Sequence, residues 1–186
     1  DGSTDEFISQ FYSREYSKSI KLINHNNKMG KCFAMLTGIK HAKNRLIGIM
    51  DGDGQNPPSE VRKIIEAWSN FKNKSFLLVC GHRIKRKDTI MKKISSNIAN
   101  KFRRHLLDDD CYDTACALKA FNKNDYLKID YFKNIHRFLP ALFKMNGGSV
   151  KNIPVIDRPR IFGKSKFNFN NRFWVGIIDL IKVKLL

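Results

Sequence analysis

The chain has 186 residues, of which 42% are hydrophobic, enough to bury the core of one globular domain and too many for a disordered tail. Lys and Arg number 35 against 17 Asp and Glu, which gives a formal net charge of +18. This excess predicts an anionic partner, which could be nucleic acid, a phospholipid surface or a phosphate-bearing substrate.

Both signs of charge are clustered along the chain. The basic residues are densest at 82–93, 101–105 and 158–166, and the carboxylates are densest at 1–6, 51–53 and 108–113. Clusters of both signs favour a defined binding site over a uniformly basic surface that binds a polyanion.

The cysteines form no Cys-x-x-Cys pair and lie mostly in apolar runs, which predicts buried, reduced thiols in a cytosolic setting. They are Cys32, Cys80, Cys111 and Cys116. A zinc site is not expected, because no histidine pairs with a cysteine at ligand spacing. The sequence also shows no signal peptide and no apolar stretch of membrane-spanning length, so contact with a membrane would be peripheral.

The predicted elements alternate between helix and strand. In chain order they are a helix at 6–19, a strand at 20–23, a helix at 31–43, a strand at 46–50, a helix at 57–71 and a strand at 76–80. Beyond a basic segment there follow a helix at 89–107, a strand at 117–121, a helix at 137–145 and a strand at 153–156. This order predicts an α/β fold with a mostly parallel sheet flanked by helices, whose ligands bind at the carboxyl ends of the strands.

A single domain over residues 1–186 is expected, because no internal repeat or linker interrupts the chain. The chain opens on the turn sequence DGSTD without a preceding strand and closes on an apolar dipeptide, so we expect it to be truncated at both ends. Residues 173–186 have the pattern of an amphipathic helix, which we expect to lie near a membrane.

Asp51 and Asp53 are the most informative residues, because they follow an apolar strand directly. Two carboxylates in this position can hold Mg²⁺ against a diphosphate, since Mg²⁺ is usually bound by one or two carboxylates together with substrate phosphates. A solvated turn after a strand is the alternative, and the Asp-x-Asp spacing alone does not decide between them.

Eight segments stand out in chain order: DGSTD at 1–5, NKMGKCFAMLTGIKHA at 27–42, MDGDGQNPP at 50–58, GHRIKRKD at 81–88, SNIAN at 96–100, DTACALKAF at 113–121, HRFLPAL at 136–142 and PRIFGKSKF at 159–167. Together and in this order they resemble the family 2 glycosyltransferases, and among them the polyprenyl-phosphate transferases similar to dolichol-phosphate mannosyltransferase. The resemblance implies the GT-A nucleotide-sugar fold, incomplete here at its N-terminus. Gly54, Ala115 and Phe167 depart mildly from the family pattern and leave the charged residues unchanged.

The resemblance implies roles for individual residues. Those assigned to the donor are Asp1, Asp51, Asp53 and Gln55, with Asp51 and Asp53 also holding Mg²⁺ or Mn²⁺. Those assigned to the acceptor phosphate are Arg83, Lys92, Ser96, Arg158 and Ser165. Those assigned to the reacting centre are Asp53, Asp113, Arg160 and Lys166, and the last two lie in a loop that is expected to close over the phosphates.

Elementary chemistry is compatible with these roles. A nucleotide-sugar donor and a phosphate acceptor bring several negative charges into one cleft, and a cation with Arg and Lys side chains must offset them. For each of these Arg and Lys residues taken alone, the alternative is a position on a solvated basic face of the protein. Asp113 orients the acceptor or shapes the metal site more readily than it acts as a base, because a phosphate monoester is already mostly dianionic at neutral pH.

The resemblance thus predicts inverting transfer of a sugar of the mannose or glucose class from a GDP- or UDP-linked donor to dolichyl or undecaprenyl phosphate. This reaction would take place at the cytoplasmic face of a membrane. Two alternatives stay open: a family 2 transferase with a soluble sugar or protein acceptor, and a basic protein that binds nucleic acid. The paired acids at a strand end favour the enzyme, because a nucleic-acid-binding surface does not need them.

Overall fold

The structure is a computed structural model that describes residues 20–84, 100–158 and 178–186. The chain divides into two compact units, residues 1–42 and residues 43–186, so the single domain expected from the sequence stays a prediction.

The first unit contains helix α1, Lys31–His41, which confirms the helix predicted there. His25 Nε2 lies 3.0 Å from the Thr37 hydroxyl of this helix and the His25 ring packs edge-on against Phe33. The predicted strand at 20–23 is wrong, because residues 20–30 have no regular secondary structure. A strand needs a partner strand for its backbone hydrogen bonds, and the described residues of this unit contain none.

The second unit contains the strands β1 Leu46–Ile49, β2 Leu77–Arg83, β3 Lys119–Asn122 and β4 Ser149–Val155. Its helices are α2 Pro58–Asn70, α3 at residues 100–107, α4 Lys123–Leu127, α5 Leu139–Met145 and α6 at residues 178–184, and Ile135–Arg137 forms a 3₁₀ turn. Proline at the start of α2 and of α5 suits the first helical turn, where the missing N–H has no intrahelical partner to lose.

The four strands form one sheet in the order β1–β3–β2–β4. The α/β architecture is confirmed, but within the described residues the sheet is mixed and not mostly parallel in its pairing. Strand β3 pairs antiparallel with both β1 and β2, while β2 and β4 are parallel. Strands β1, β2 and β4 therefore point the same way, and β3 runs between them in the reverse direction.

Helix α2 covers one face of the sheet and closes the core there. Ile64 and Trp68 of α2 pack among the alternate strand residues Leu77 and Val79, and the Trp68 indole donates a 3.1 Å hydrogen bond to the Leu77 carbonyl. Burial of these large apolar side chains, at roughly 25 cal/mol per Å², is the main term that holds α2 on the sheet. The chain returns into β4 at Gly148, where a Cβ atom would lie only 2.1 Å from the Phe76 carbonyl oxygen.

All four cysteines are free and buried, as the sequence predicts. Burial raises the pKa of the Cys116 thiol to about 11, so this thiol is protonated and unreactive at neutral pH. Across the described parts of the chain, no helix is both long enough and apolar enough to cross a bilayer.

Candidate active site

The sheet topology brings one end of all four strands to the same edge. Strands β1, β2 and β4 finish there and β3 starts there, because β3 runs in the opposite direction. The segments that leave or enter the sheet at this edge are 50–57 after β1, Arg83 at the end of β2, 113–118 before β3 and 156–158 after β4. The charged residues in them are separated by up to 107 positions in the sequence and are assembled by the fold.

The segment after β1 is a compact turn held by its own side chains. The Asp53 carboxylate accepts a 3.1 Å hydrogen bond from the Gln55 backbone N–H, and the Asn56 side-chain oxygen accepts one of 3.2 Å from the Asp51 N–H. Gly54 has φ +75°, a conformation in which a side chain such as Leu would be strained. The two acids predicted to hold a metal thus lie on a constrained turn.

Arg83 is the centre of the charged network. Its guanidinium contacts Asp113 with two hydrogen bonds, from Nε to Oδ2 at 2.6 Å and from Nη2 to Oδ1 at 2.9 Å. Its third nitrogen, Nη1, lies 3.5 Å from Asp157 Oδ2. Both pairs are largely shielded, since the side-chain exposed fractions are 17% for Arg83, 4% for Asp113 and 15% for Asp157. A bidentate pair of this kind fixes both the distance and the plane of the two groups.

Asn56 joins this network to the turn after β1. Its side-chain amide donates a 3.0 Å hydrogen bond to Asp157 Oδ1. Gln55 and Arg158 form a second link, in which the Arg158 N–H donates to the Gln55 carbonyl at 2.8 Å and the Gln55 amide reaches the Arg158 carbonyl at 3.4 Å. The segments after β1 and after β4 are therefore held against each other by both backbone and side-chain contacts.

The network shifts the proton affinities of its members. Burial alone would lower the pKa of the Arg83 guanidinium, but the paired carboxylates of Asp113 and Asp157 raise it above its ordinary value, so Arg83 is always charged. Burial raises the pKa of Asp157 above its usual range, and the charge of Arg83 opposes this rise. The charge of Arg83 therefore favours the ionised form of Asp157 against the effect of burial.

This edge is acidic, although the chain as a whole is strongly basic. Among the described residues, its carboxylates are those of Asp51, Asp53, Asp113 and Asp157, and its guanidinium groups are those of Arg83 and Arg158. Lys119, the first residue of β3, adds a third cation at this edge, and its ammonium donates to the Thr114 and Cys116 carbonyls. The described residues contain no group of three or more side chains able to ligate a metal. Asp51 and Asp53 have the carboxylate chemistry to ligate a cation that completes its shell with substrate oxygens.

A second buried ion pair, between Arg103 and Asp109, lies next to the segment that precedes β3. Arg103, on α3, donates from Nε to Asp109 Oδ2 at 2.6 Å and also donates to the Thr114 hydroxyl at 2.5 Å. The Asp109 side chain is fully buried, and Lys119 donates to the carbonyls of Thr114 and Cys116. These contacts leave the segment that carries Asp113 little freedom to move.

The structure brings together six of the residues predicted for the site: Asp51, Asp53, Gln55, Arg83, Asp113 and Arg158. The other six lie outside the described residues: Asp1, Lys92, Ser96, Arg160, Ser165 and Lys166. Sequence reasoning missed Asn56 and Asp157 as members of the site. Asp157 follows the last predicted strand as Asp51 follows an earlier one, so the rule that ligands bind at carboxyl ends of strands could have identified it.

The family model for glycosyl transferase family 2 matches residues 1–129. Among similar curated proteins, the dodecaprenyl-phosphate galacturonate synthase of Rhizobium johnstonii is 29% identical over 188 residues, which cover 98% of this chain and 54% of that protein. The undecaprenyl-phosphate 4-deoxy-4-formamido-L-arabinose transferase of Klebsiella pneumoniae is 28% identical over 175 residues, which cover 91% of this chain and 51% of that protein.

The same transferase of Salmonella paratyphi B is 29% identical over 174 residues, which again cover 91% of this chain and 51% of the relative. The chain thus spans about half the length of these curated relatives. The family model covers more than two thirds of the chain, from its first residue through the turn after β1, β2, Asp113 and β3. The chain belongs to glycosyl transferase family 2.

Proposed function

We propose that this chain is the catalytic part of a transferase that moves a sugar from a nucleoside diphosphate to a polyprenyl phosphate, with inversion at the anomeric carbon. The observation that carries the proposal is the acidic turn with Asp51 and Asp53, linked through Asn56 and Asp157 to Arg83 at one sheet edge. The acceptor class is supported by the names of the relatives, since each name includes a polyprenyl phosphate.

In this mechanism a phosphate oxygen of the acceptor attacks the anomeric carbon of the donor sugar, and the bond from that carbon to the nucleoside diphosphate breaks. Mg²⁺ or Mn²⁺ held by Asp51 and Asp53 would supply positive charge to offset the diphosphate. The acceptor needs no strong base, because a phosphate monoester is already mostly ionised at neutral pH.

Arg83 and Asp113 act in this scheme as a positioning pair. Since Asp113 pairs with the Nε and Nη2 edge of the guanidinium and Asp157 lies beside Nη1, Arg83 is held rigidly at the sheet edge where both phosphates are proposed to meet. Asp113 therefore orients Arg83 and the acceptor and does not remove a proton. The loop with Arg158, Arg160, Ser165 and Lys166 is proposed to close over the phosphates and exclude water that would hydrolyse the donor.

The sugar that the resemblance implies differs from the sugars in the names of the relatives. The resemblance favours mannose or glucose, whereas the relatives named above act on galacturonate and on 4-deoxy-4-formamido-L-arabinose. We propose a GDP- or UDP-linked sugar as donor and the cytoplasmic face of a membrane as the place of reaction.

A panel assay tests the substrates. The full-length protein would be incubated with GDP- and UDP-linked mannose, glucose, galacturonate and related sugars, each with a short polyprenyl phosphate, the matching polyprenol without phosphate, or a soluble sugar acceptor. We expect transfer with one donor class and only to the phosphorylated lipid. Transfer to the soluble sugar with none to the lipid phosphate would establish the rival acceptor class. Metal-independent DNA binding that weakens steeply with salt, without any transfer, would contradict the enzyme proposal altogether.

A further inference from the structure

A cationic cavity lies on the opposite face of β2 from Arg83. It has a volume of about 320 Å³ and is lined by His82, Asn100, Lys101, Arg104 and Tyr112. Successive residues of a strand point to opposite faces, so His82 faces away from the network that its neighbour Arg83 forms. This cavity is therefore separate from the candidate active site, although both lie near the same end of the strand.

The lining of the cavity is basic. It contains a lysine, an arginine and a histidine, and no carboxylate. Within the described residues Arg104 forms no salt bridge, and its Nε is buried without a hydrogen-bond partner. Arg103, the neighbouring residue, instead has its charge fully matched by Asp109. A buried guanidinium nitrogen without a partner is costly, and this cost is removed when an anion supplies the acceptor.

The cavity is preformed on its aromatic side. The Arg104 guanidinium lies 5.1 Å from the centre of the Tyr112 ring, and the His82 ring packs edge-on against Tyr112 at 5.5 Å. The backbone of Tyr112 is held by Asn152 of β4, whose side chain accepts from the Tyr112 N–H at 3.0 Å and donates to the Asp110 carbonyl at 2.8 Å. The Arg104 guanidinium is thus held beside the Tyr112 ring before any ligand arrives.

We propose that this cavity binds a phosphate oxyanion, with Arg104 as the bidentate donor and Lys101 as a second cation. A planar guanidinium beside a lysine matches the tetrahedral oxygens and charge of a phosphate group. The proposal does not depend on the transferase function of the other site.

The phosphate can belong to a free ion or to a lipid headgroup, and the surroundings give a reason to test the lipid. Phe102 follows Lys101 directly and is 61% exposed, Ile84 lies two residues beyond His82 and is 53% exposed, and Tyr112 itself is 51% exposed. Exposed aromatic and aliphatic side chains next to a cationic pocket are the combination that meets an anionic membrane surface.

The test compares three single-charge variants of the chain in two binding assays. The variants are Arg104→Gln, Lys101→Gln and, as a control, Arg62→Gln, an exposed arginine on α2 that also removes one positive charge. The assays are titration with inorganic phosphate, followed by NMR or calorimetry, and sedimentation with phosphatidylglycerol vesicles, with phosphatidylcholine vesicles as the uncharged blank.

We expect Arg104→Gln to weaken phosphate binding by about tenfold or more, because a charge-assisted hydrogen bond contributes roughly 1.5–3 kcal/mol. Lys101→Gln should weaken it by a smaller factor, and because Lys101 is exposed its loss does not threaten the fold. Losses seen with phosphatidylglycerol but not with inorganic phosphate would identify a lipid headgroup, and losses with both would identify phosphate of either origin. If Arg104→Gln and Lys101→Gln behave like Arg62→Gln in both assays, the cavity is not a phosphate site.

Discussion

Arg83→Ala is expected to destabilise the protein by roughly 3–5 kcal/mol and to lower sugar transfer on the order of 100-fold. The variant leaves Asp113 buried without the guanidinium that now contacts it at 2.6 and 2.9 Å, and it removes the partner of Asp157 at 3.5 Å. Unfolding by urea and the initial rate of transfer measure the two effects. Arg62→Ala, at an exposed position on α2, is the matched control and should change stability by less than about 0.5 kcal/mol.

The stability loss of Arg83→Ala should depend on pH in a defined direction. Burial already raises the pKa of Asp157, and without Arg83 the opposing effect is lost, so this pKa rises further. A carboxyl group whose pKa is higher in the folded protein destabilises the fold as pH rises through the interval between the unfolded and folded values. The loss of stability in Arg83→Ala should therefore be larger at pH 7 than near pH 4. An equal loss at both pH values would contradict the role of Arg83 in stabilising the ionised form of Asp157.

A double variant separates the structural role of Arg83 from its catalytic role. Arg83→Met combined with Asp113→Asn removes both charges of the bidentate pair, so it should recover part of the stability that Arg83→Ala loses. The rate of sugar transfer should stay low, because the positive charge of the Arg83 guanidinium is still missing from the site. Recovery of both stability and transfer would show that Arg83 serves only to balance Asp113.

Asp53→Asn is expected to abolish the metal dependence of nucleoside diphosphate binding while the fold is kept. The Asn side-chain oxygen can still accept the 3.1 Å hydrogen bond from the Gln55 N–H, so the turn survives and only the charge is lost. Calorimetric titration with GDP and with UDP, each with and without Mg²⁺ or Mn²⁺, measures the effect. In the unsubstituted protein the metal should tighten binding by at least about tenfold, a difference of roughly 1.4 kcal/mol.

Asp130→Asn is the control for this variant, because Asp130 is an exposed carboxylate away from the sheet edge. It should leave the metal effect unchanged, which would show that the general loss of one negative charge is not responsible. If Asp53→Asn binds nucleoside diphosphate with the same affinity as the unsubstituted protein when metal is present, Asp53 does not hold the cation.

The parts of the fold that depend on local pattern could be predicted from the sequence. Helix α2 and strand β1 lie where apolar periodicity and the paired prolines place them, and Asp51 follows β1 as expected. Strands β2 and β4 are longer than predicted, since β2 continues to Arg83 and β4 begins at Ser149. Their added residues are polar or glycine except for Val150, and they extend as strands because the neighbouring strand supplies hydrogen bonds that local pattern does not reveal.

The pairings within the site could not be predicted in the same way. The acidic run at 108–110 is typical of a solvated loop in the sequence. In the structure Asp109 is fully buried against Arg103, and Asp108 and Asp110 both contact Lys144. The reversed direction of β3 likewise comes from long-range pairing. Because Asp113 stands just before β3, that reversal is what brings it to the end of β2 and into contact with Arg83.

Transfer itself is the most direct test of the central claim. The full-length protein would be mixed with a labelled nucleotide sugar, a short polyprenyl phosphate and Mg²⁺ or Mn²⁺, and label would be counted in the organic phase after extraction. We expect that label enters the organic phase, that chelation of the metal stops this transfer, and that Asp53→Asn reduces it to background while Asp130→Asn does not. Label that stays in the aqueous phase with every donor of the panel, or transfer that is indifferent both to chelation and to Asp53→Asn, would contradict it.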